Sequence, residues 1–159
     1  MFKSMLRPGG WFLLIWALLA AGPAGAADLT ERDAKAVRAV VEAQLQALAA
    51  DDAVRAFSFA SPTIRSQFGD AATFITMVRQ GYPVLIRPAA IAFFQPEAVA
   101  GEVIQGVQVV QVVQVVQVVQ LRDATGRHWL ATYQLQRQAD QRWRINGCVV
   151  APDAGKSST

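Results

Sequence analysis

The chain is poor in the residues that most chemistry needs. Its 159 residues hold one cysteine, one histidine and two tyrosines. A lone Cys148 cannot close an intrachain disulfide, so stability has to come from a hydrophobic core. A lone His128 excludes paired-imidazole metal sites, and no second His or Cys stands at ligand spacing from it. No glycine-rich phosphate loop, Gly-x-Ser-x-Gly elbow or His-Glu-x-x-His helix occurs. No metal and no cofactor is implied. Charge of one sign is also scarce: 15 Lys and Arg stand against 12 Asp and Glu. No Lys/Arg cluster is interleaved with aromatics, which argues against nucleic-acid binding.

The first 26 residues read as a secretory signal. Lys3 and Arg7 give a basic start, and an apolar run follows from Trp11 to Ala21. Gly22 and Pro23 break the run, and Ala24-Gly25-Ala26 supplies the small residues of a cleavage site. The run is shorter than the ~20 residues that a helix needs to cross a bilayer. An uncleaved anchor is the alternative; a lipoprotein anchor is excluded, because no cysteine follows the run. The expectation is a periplasmic or secreted protein without a stable membrane anchor after cleavage. The working chain is then 27–159, with a domain over 27–150 and a small, polar, disordered tail over 151–159. Loss of Lys3 and Arg7 reduces the net charge from +3 to +1.

The domain opens with helices. Thr30-Glu31-Arg32-Asp33 resembles a capping box, and Val37, Val41, Leu45 and Leu48 recur at helical spacing over 31–49. Asp51 is placed to cap a short helix carrying Val54 and Phe57. Ser61-Pro62 starts another, which stops at Gly69. Asp70 caps a fourth, with Phe74, Met77 and Val78, ended by Gly81 and Pro83. The character then changes. Val84-Leu85-Ile86 and Ile91 to Phe94 are strand-like, with Pro96 to Gly101 as a connection. Three long strands follow, with turns at Asp123 to Gly126 and Ala139 to Gln141. Helices first and an antiparallel meander afterwards predict an α+β fold, N-terminal helices packed on a curved antiparallel sheet in a cone-like, cystatin-like arrangement.

Residues 107–121 repeat Val-Val-Gln, with glutamine every third position. A strand alternates faces every second residue, so the glutamines fall on both faces and no clean buried face is expected. If Arg122 pairs with Arg127, Gln138 faces Gln111, and the repeat outruns its hairpin partner. This reads as a tandem expansion. A projecting β-arm for a partner is the functional alternative, and uncharged Val/Gln hexamers are cross-β candidates.

Candidate chemistry is thin. With Gln138 opposite Arg142, Cys148 opposes Thr132 and shares a face with His128, Gln134, Arg144 and Asn146. About 13 Å then separates Cys148 from His128, too far for a thiol–imidazole pair. His128 is expected to be a solvated strand-end residue. Asp51-Asp52 is a carboxylate pair that serves as a helix cap. The aromatic residues Phe57, Phe68, Phe74, Tyr82, Phe93, Trp129, Tyr133 and Trp143 could surround a pocket between helices and sheet, with an ordinary core as the alternative.

Ala60-Ser61-Pro62, Phe68-Gly69, Phe74 to Val78, Gly81-Tyr82-Pro83, Gly126 to Trp129, Tyr133 and Trp143 to Cys148 resemble an uncharacterised bacterial family, domain of unknown function 4864. The likeness covers roughly residues 30–150. That family resembles the nuclear-transport-factor-2-like (SnoaL-like) superfamily of α+β cones, which implies a curved sheet wrapped on helices with a pocket at its mouth. It implies no catalytic residue. Three functions are compatible with this: a non-catalytic binding or accessory module holding a small apolar ligand or a protein segment; an isomerase- or dehydratase-type pocket enzyme; or a structural homodimer joined through the polar sheet face. The apolar face holds no Asp, Glu or His, which favours binding over catalysis.

Overall fold

The computed structural model describes residues 29–105 and 108–155. The expected signal segment 1–26 and the last residues of the expected tail lie outside them. Four helices come first: α1 (Glu31–Ala49), α2 (Ala53–Ser58), α3 (Pro62–Phe68) and α4 (Ala71–Gly81). A 3₁₀ turn (Pro83–Leu85) leads into five strands: β1 (Ala90–Phe93), β2 (Glu97–Gln105), β3 (Gln108–Arg122), β4 (His128–Arg137) and β5 (Trp143–Pro152). They form one curved, unclosed antiparallel sheet ordered β1-β3-β4-β5, with β2 also paired to β3. The class is α+β.

The helix starts follow the caps. Thr30 Oγ1 accepts the Asp33 N–H at 3.1 Å, and Val37, Val41, Leu45 and Leu48 bury the inner stripe of α1. Asp52, not Asp51, caps α2, accepting the Arg55 N–H at 3.0 Å. Asp51 instead takes a left-handed backbone (φ 57°) and turns its carboxylate to Arg79 and Arg87. Ser61 caps α3 and Asp70 caps α4. Val84-Leu85-Ile86 is not a strand. Pro83 fixes the φ of a first helical position, and Leu85 is drawn into the core.

Two locks join helices to sheet. At the start of α1, Asp33 binds the Arg137 guanidinium and accepts the Trp143 Nε1–H at 3.3 Å, while Arg137 stacks 4.8 Å above the Trp143 ring. Between α2 and α3, the chain runs beside β5 as a short parallel bridge. The Ile145 N–H donates to Phe59 O at 2.9 Å, and the Ser61 N–H donates to Ile145 O at 2.8 Å. The Ser61 hydroxyl then donates to Asn146 Oδ1 at 2.8 Å.

The β3–β4 register differs by one residue from the sequence expectation: Arg122 faces His128. The turn explains the shift. Asp123 Oδ1 accepts the N–H groups of Thr125 and Arg127 and the Thr125 hydroxyl, and the Asp123 N–H donates to Arg127 O. That makes Asp123 and Arg127 the closing pair, with Gly126 at φ +87° inside the turn. These bonds hold the Asp123 carboxyl down at about 2, led by the Thr125 hydroxyl.

From Val115 to Leu121 the repeat has a buried inner face, with one of its glutamines on it. Val115, Gln117, Val119 and Leu121 are all fully buried. Gln117 is tolerated there because its amide donates to Phe94 O at 2.7 Å and Val118 O at 3.0 Å, where β1 ends and the chain departs toward β2. Pro96 to Gly101 is largely strand rather than connection. β2 starts at Glu97 and pairs with β3 throughout, so the early repeat has a partner in β2 even though pairing with β4 ends at Gln114, opposite Gln136. The last strand also runs further than expected. It includes Ala151 and Pro152, and Asp153 is tied down by its N–H to His128 O and by the Gln120 amide.

Candidate functional site

A cleft of about 230 Å³ lies between α3, α4 and the inner face of β4 and β5. Its location comes from the bridge at Ile145, which holds the α2–α3 connection against the sheet. Ile64, Gln67 and Phe68 come from α3, Phe74, Met77 and Val78 from α4, and Tyr82 and Leu85 from the turn beyond. Tyr133, Ile145 and Cys148 form the sheet side, and Gln44 and Leu48 of α1 close the inner end. Of the lining residues Gln67 is exposed, Ile64, Phe68, Met77, Tyr82, Gly147 and Cys148 are half-buried, and the others are buried.

Cys148 belongs to this site because of a bulge. The expected β4–β5 register holds from Arg137–Trp143 to Leu135–Ile145, and then Gln134 faces Gly147. Asn146 is the extra residue. It turns its side chain to the Ser61 cap, and every later residue changes face. Cys148 therefore faces Tyr133 instead of Thr132 and points inward, while Val149 turns out to solvent at 61% exposure. Gly147 makes the shift easy. A Cβ there would sit 3.3 Å from Gln134 Oε1, tighter than an ordinary contact.

Burial decides the chemistry of the polar groups. The Tyr133 side chain is fully enclosed, and its hydroxyl has no hydrogen-bond partner among the described residues. Cys148 lies beside it and perturbs it, but the geometry falls short of a hydrogen bond. Burial, with the thiol next to it, raises the tyrosine well above the usual phenol range. Burial likewise pushes the Cys148 thiol up to about 12, against a smaller opposing effect of Tyr133. Neither group ionises at neutral pH, so neither is a ready nucleophile or base. His128 gives Cys148 no help. It faces Arg122 on β3, five positions along β4 from the cysteine's partner, or about 17 Å. Nor is His128 simply solvated, since its Nδ1 is buried without a partner among the described residues. Among the described residues, no Asp, Glu, Lys, Arg or His lines the cleft. Among the described residues, no three His, Cys, Asp or Glu side chains gather as a metal site, and no helix is long and apolar enough to cross a membrane. Native Cys148 should react with a soluble thiol reagent at least tenfold more slowly than in the unfolded chain. Equal rates, followed by absorbance of the released chromophore, would refute the shielding of this half-buried thiol.

The structure divides the aromatic set. Phe68, Phe74, Tyr82 and Tyr133 line the cleft. Phe57 sits behind it, its ring centroid 5.3 Å from that of Phe74, which Phe68 meets edge-on at 5.9 Å. Phe93, Trp129 and Trp143 are elsewhere. Phe93 lies under the Arg38 guanidinium at 4.8 Å. Trp129 is bound to the turn, its Nε1–H donating to Asp123 Oδ2 at 2.9 Å. Trp143 belongs to the Asp33–Arg137 lock. Sequence reasoning missed Gln44, Ile64, Met77 and Cys148. A signal for the last exists: Asn146-Gly147 within a strand marks a bulge, and a bulge reverses the facing of every residue beyond it.

No curated protein matches the chain. The family model described as Domain of unknown function (DUF4864) matches residues 30–114 and, in a second segment, 111–158. The matched segments span both the helical layer and the sheet, including every element that lines the cleft. The chain belongs to the DUF4864 family.

Proposed function

We propose that this is an exported, non-catalytic binding module whose cleft holds a small, uncharged, largely apolar molecule. The observation that carries the reading is the cleft's lining: apolar and aromatic side chains, soft sulfur at Met77 and Cys148, and no charge. An ionised ligand would lose its hydration there without finding a counter-charge. Size sets the scale. A dry apolar cavity of about 150 Å³ takes benzene. A cleft of about 230 Å³ suits a substituted single ring or a short alkyl chain. The Gln67 amide and the Tyr82 hydroxyl offer orientation to a single polar atom, whereas the Gln44 amide already donates to Ala56 O at 3.2 Å. Export rests on the order of basic, apolar and small residues in 1–26. Placement among the SnoaL-like cones accords with helices cupped by a curved sheet, and it belongs to the same proposal.

Native mass spectrometry of protein purified from the cell envelope tests both parts. The expected spectrum shows a chain beginning after Ala26 and carrying a neutral adduct that collisional activation removes. A chain retaining Met1 would contradict cleavage. A protein that carries no adduct and acquires none from an envelope lipid extract would contradict the binding function.

A further inference from the structure

The cleft wall holds a polar group that the fold buries without pairing. Tyr133 stands on the inner face of β4 with its side chain fully enclosed, and its hydroxyl has no hydrogen-bond partner among the described residues. Other buried atoms in that condition belong to Gln117, His128 and Arg137, none of which lines the cleft. Folded proteins pair nearly all of their buried polar groups, because a buried hydroxyl left unpaired has lost its bonds to water and gained none in return.

The neighbours explain why the protein does not pair this one itself. The bulge at Asn146 sets Cys148 opposite Tyr133, and a neutral thiol is only a weak acceptor. The Gln44 amide is turned away to Ala56 O at 3.2 Å. Leu48, Phe74, Val78, Leu85 and Ile145 contribute hydrocarbon. Gln67 and Tyr82 line the cleft too, but Gln67 is exposed and Tyr82 half-buried, so both have recourse to water. Tyr133 has none.

A phenol O–H in an uncharged, apolar wall calls for an acceptor. A hydrocarbon offers none. A carboxylate accepts but brings a charge that the lining does not balance. A carbonyl oxygen supplies lone pairs and brings neither a charge nor a donor of its own. We propose that the cleft selects neutral carbonyl compounds, a ketone, aldehyde or ester on a short apolar body, and that the Tyr133 hydroxyl donates to their oxygen. This rests on the reading of the cleft as a binding site and adds the chemical class of the guest. Contact requires the wall to re-pack around the guest, and the unbranched thioether of Met77 and the small side chain of Cys148 are the parts of it that yield.

Two guests of one chain length, 2-octanone and 1-octene, test the proposal on the parent and on Tyr133→Phe. The ratio of ketone to alkene affinity should fall roughly tenfold or more in the variant, with the loss confined to the ketone. The carbonyl stretch of bound 2-octanone should lie at lower frequency in the parent than in the variant, which a merely structural role for the tyrosine would not produce. Ligand-free Tyr133→Phe should melt at the parent's temperature or above it, since the change removes an unpaired hydroxyl and keeps the ring. An unchanged affinity ratio or an unchanged carbonyl frequency would overturn the proposal while leaving the binding site in place. A ligand-free variant that melts well below the parent would overturn it too, because the hydroxyl would then be paired within the fold. A parent that binds neither guest would overturn the binding function and the proposal with it.

Discussion

Replacing Met77 with tryptophan will abolish ligand retention while leaving the fold intact. Met77 is half-buried on α4, where its thioether contributes to the lining of the cleft. An indole at that position fills the space a ligand would occupy, and a helix accepts tryptophan at a cost of only a few tenths of a kcal/mol. The bound fraction of any neutral guest should fall at least tenfold, equivalent to about 1.4 kcal/mol or more of lost affinity. The melting temperature of the empty protein should hold or rise, because the cleft is better packed. Loss of binding together with a collapse in melting temperature would mean only that the helix had been damaged. Retained binding would place the ligand elsewhere.

Trp143→Ala will be the most destabilising single change in the lock between α1 and the sheet. The indole is 3% exposed, donates to Asp33 and lies beneath the Arg137 guanidinium. Truncating a buried aromatic of this size costs about 3–5 kcal/mol, a large share of the ~5–15 kcal/mol that holds an ordinary domain together. Urea midpoints will show it directly, with an unchanged slope if the unfolded state is unaffected. Asp33 links the same lock to pH. The Thr30 hydroxyl, then Arg137 and Trp143, hold its carboxyl below the usual 3.8 against the opposing effect of burial. A depressed folded pKa stabilises the fold above the unfolded value, and that contribution fades as pH falls through the folded value. Acid below about pH 4 should therefore erode stability. Asp33→Asn should be weaker at pH 7 yet lose less between pH 7 and pH 3. A parent and Asp33→Asn with parallel acid profiles would remove Asp33 from the account.

The helical half of the fold was legible because its signals are local. Thr30, Ser61 and Asp70 announce helix starts, and Gly69 and Gly81 announce ends, through backbone groups only a few residues away. Asp51 and Asp52 show the limit of such reading. Both can cap, and the choice was made by Arg79 and Arg87, which lie far along the chain and attract Asp51. Register was less legible because a turn decides it. One carboxylate, Asp123, closed the β3–β4 hairpin one residue tighter than symmetry of the arginines suggested. The cleft was half legible. Aromatic content identified Phe68, Phe74, Tyr82 and Tyr133, but composition could not separate them from Trp129 and Trp143, which serve a turn and an ion pair. Cys148 was misplaced by a single inserted residue, since period-two patterning has no memory of a bulge.

As a binding module of the proposed kind, the protein should accept an uncharged apolar guest in the cleft and reject a charged one of the same shape. A titration of methyl-labelled protein with 1-octanol and, separately, with octanoate at neutral pH tests it most directly. Saturable shifts of the Met77, Ile64 and Ile145 methyl resonances are expected with the alcohol, and an at least tenfold weaker response to the carboxylate. Equal responses would contradict charge exclusion while leaving a binding site in place. No response to either guest at those methyls would contradict the binding function itself.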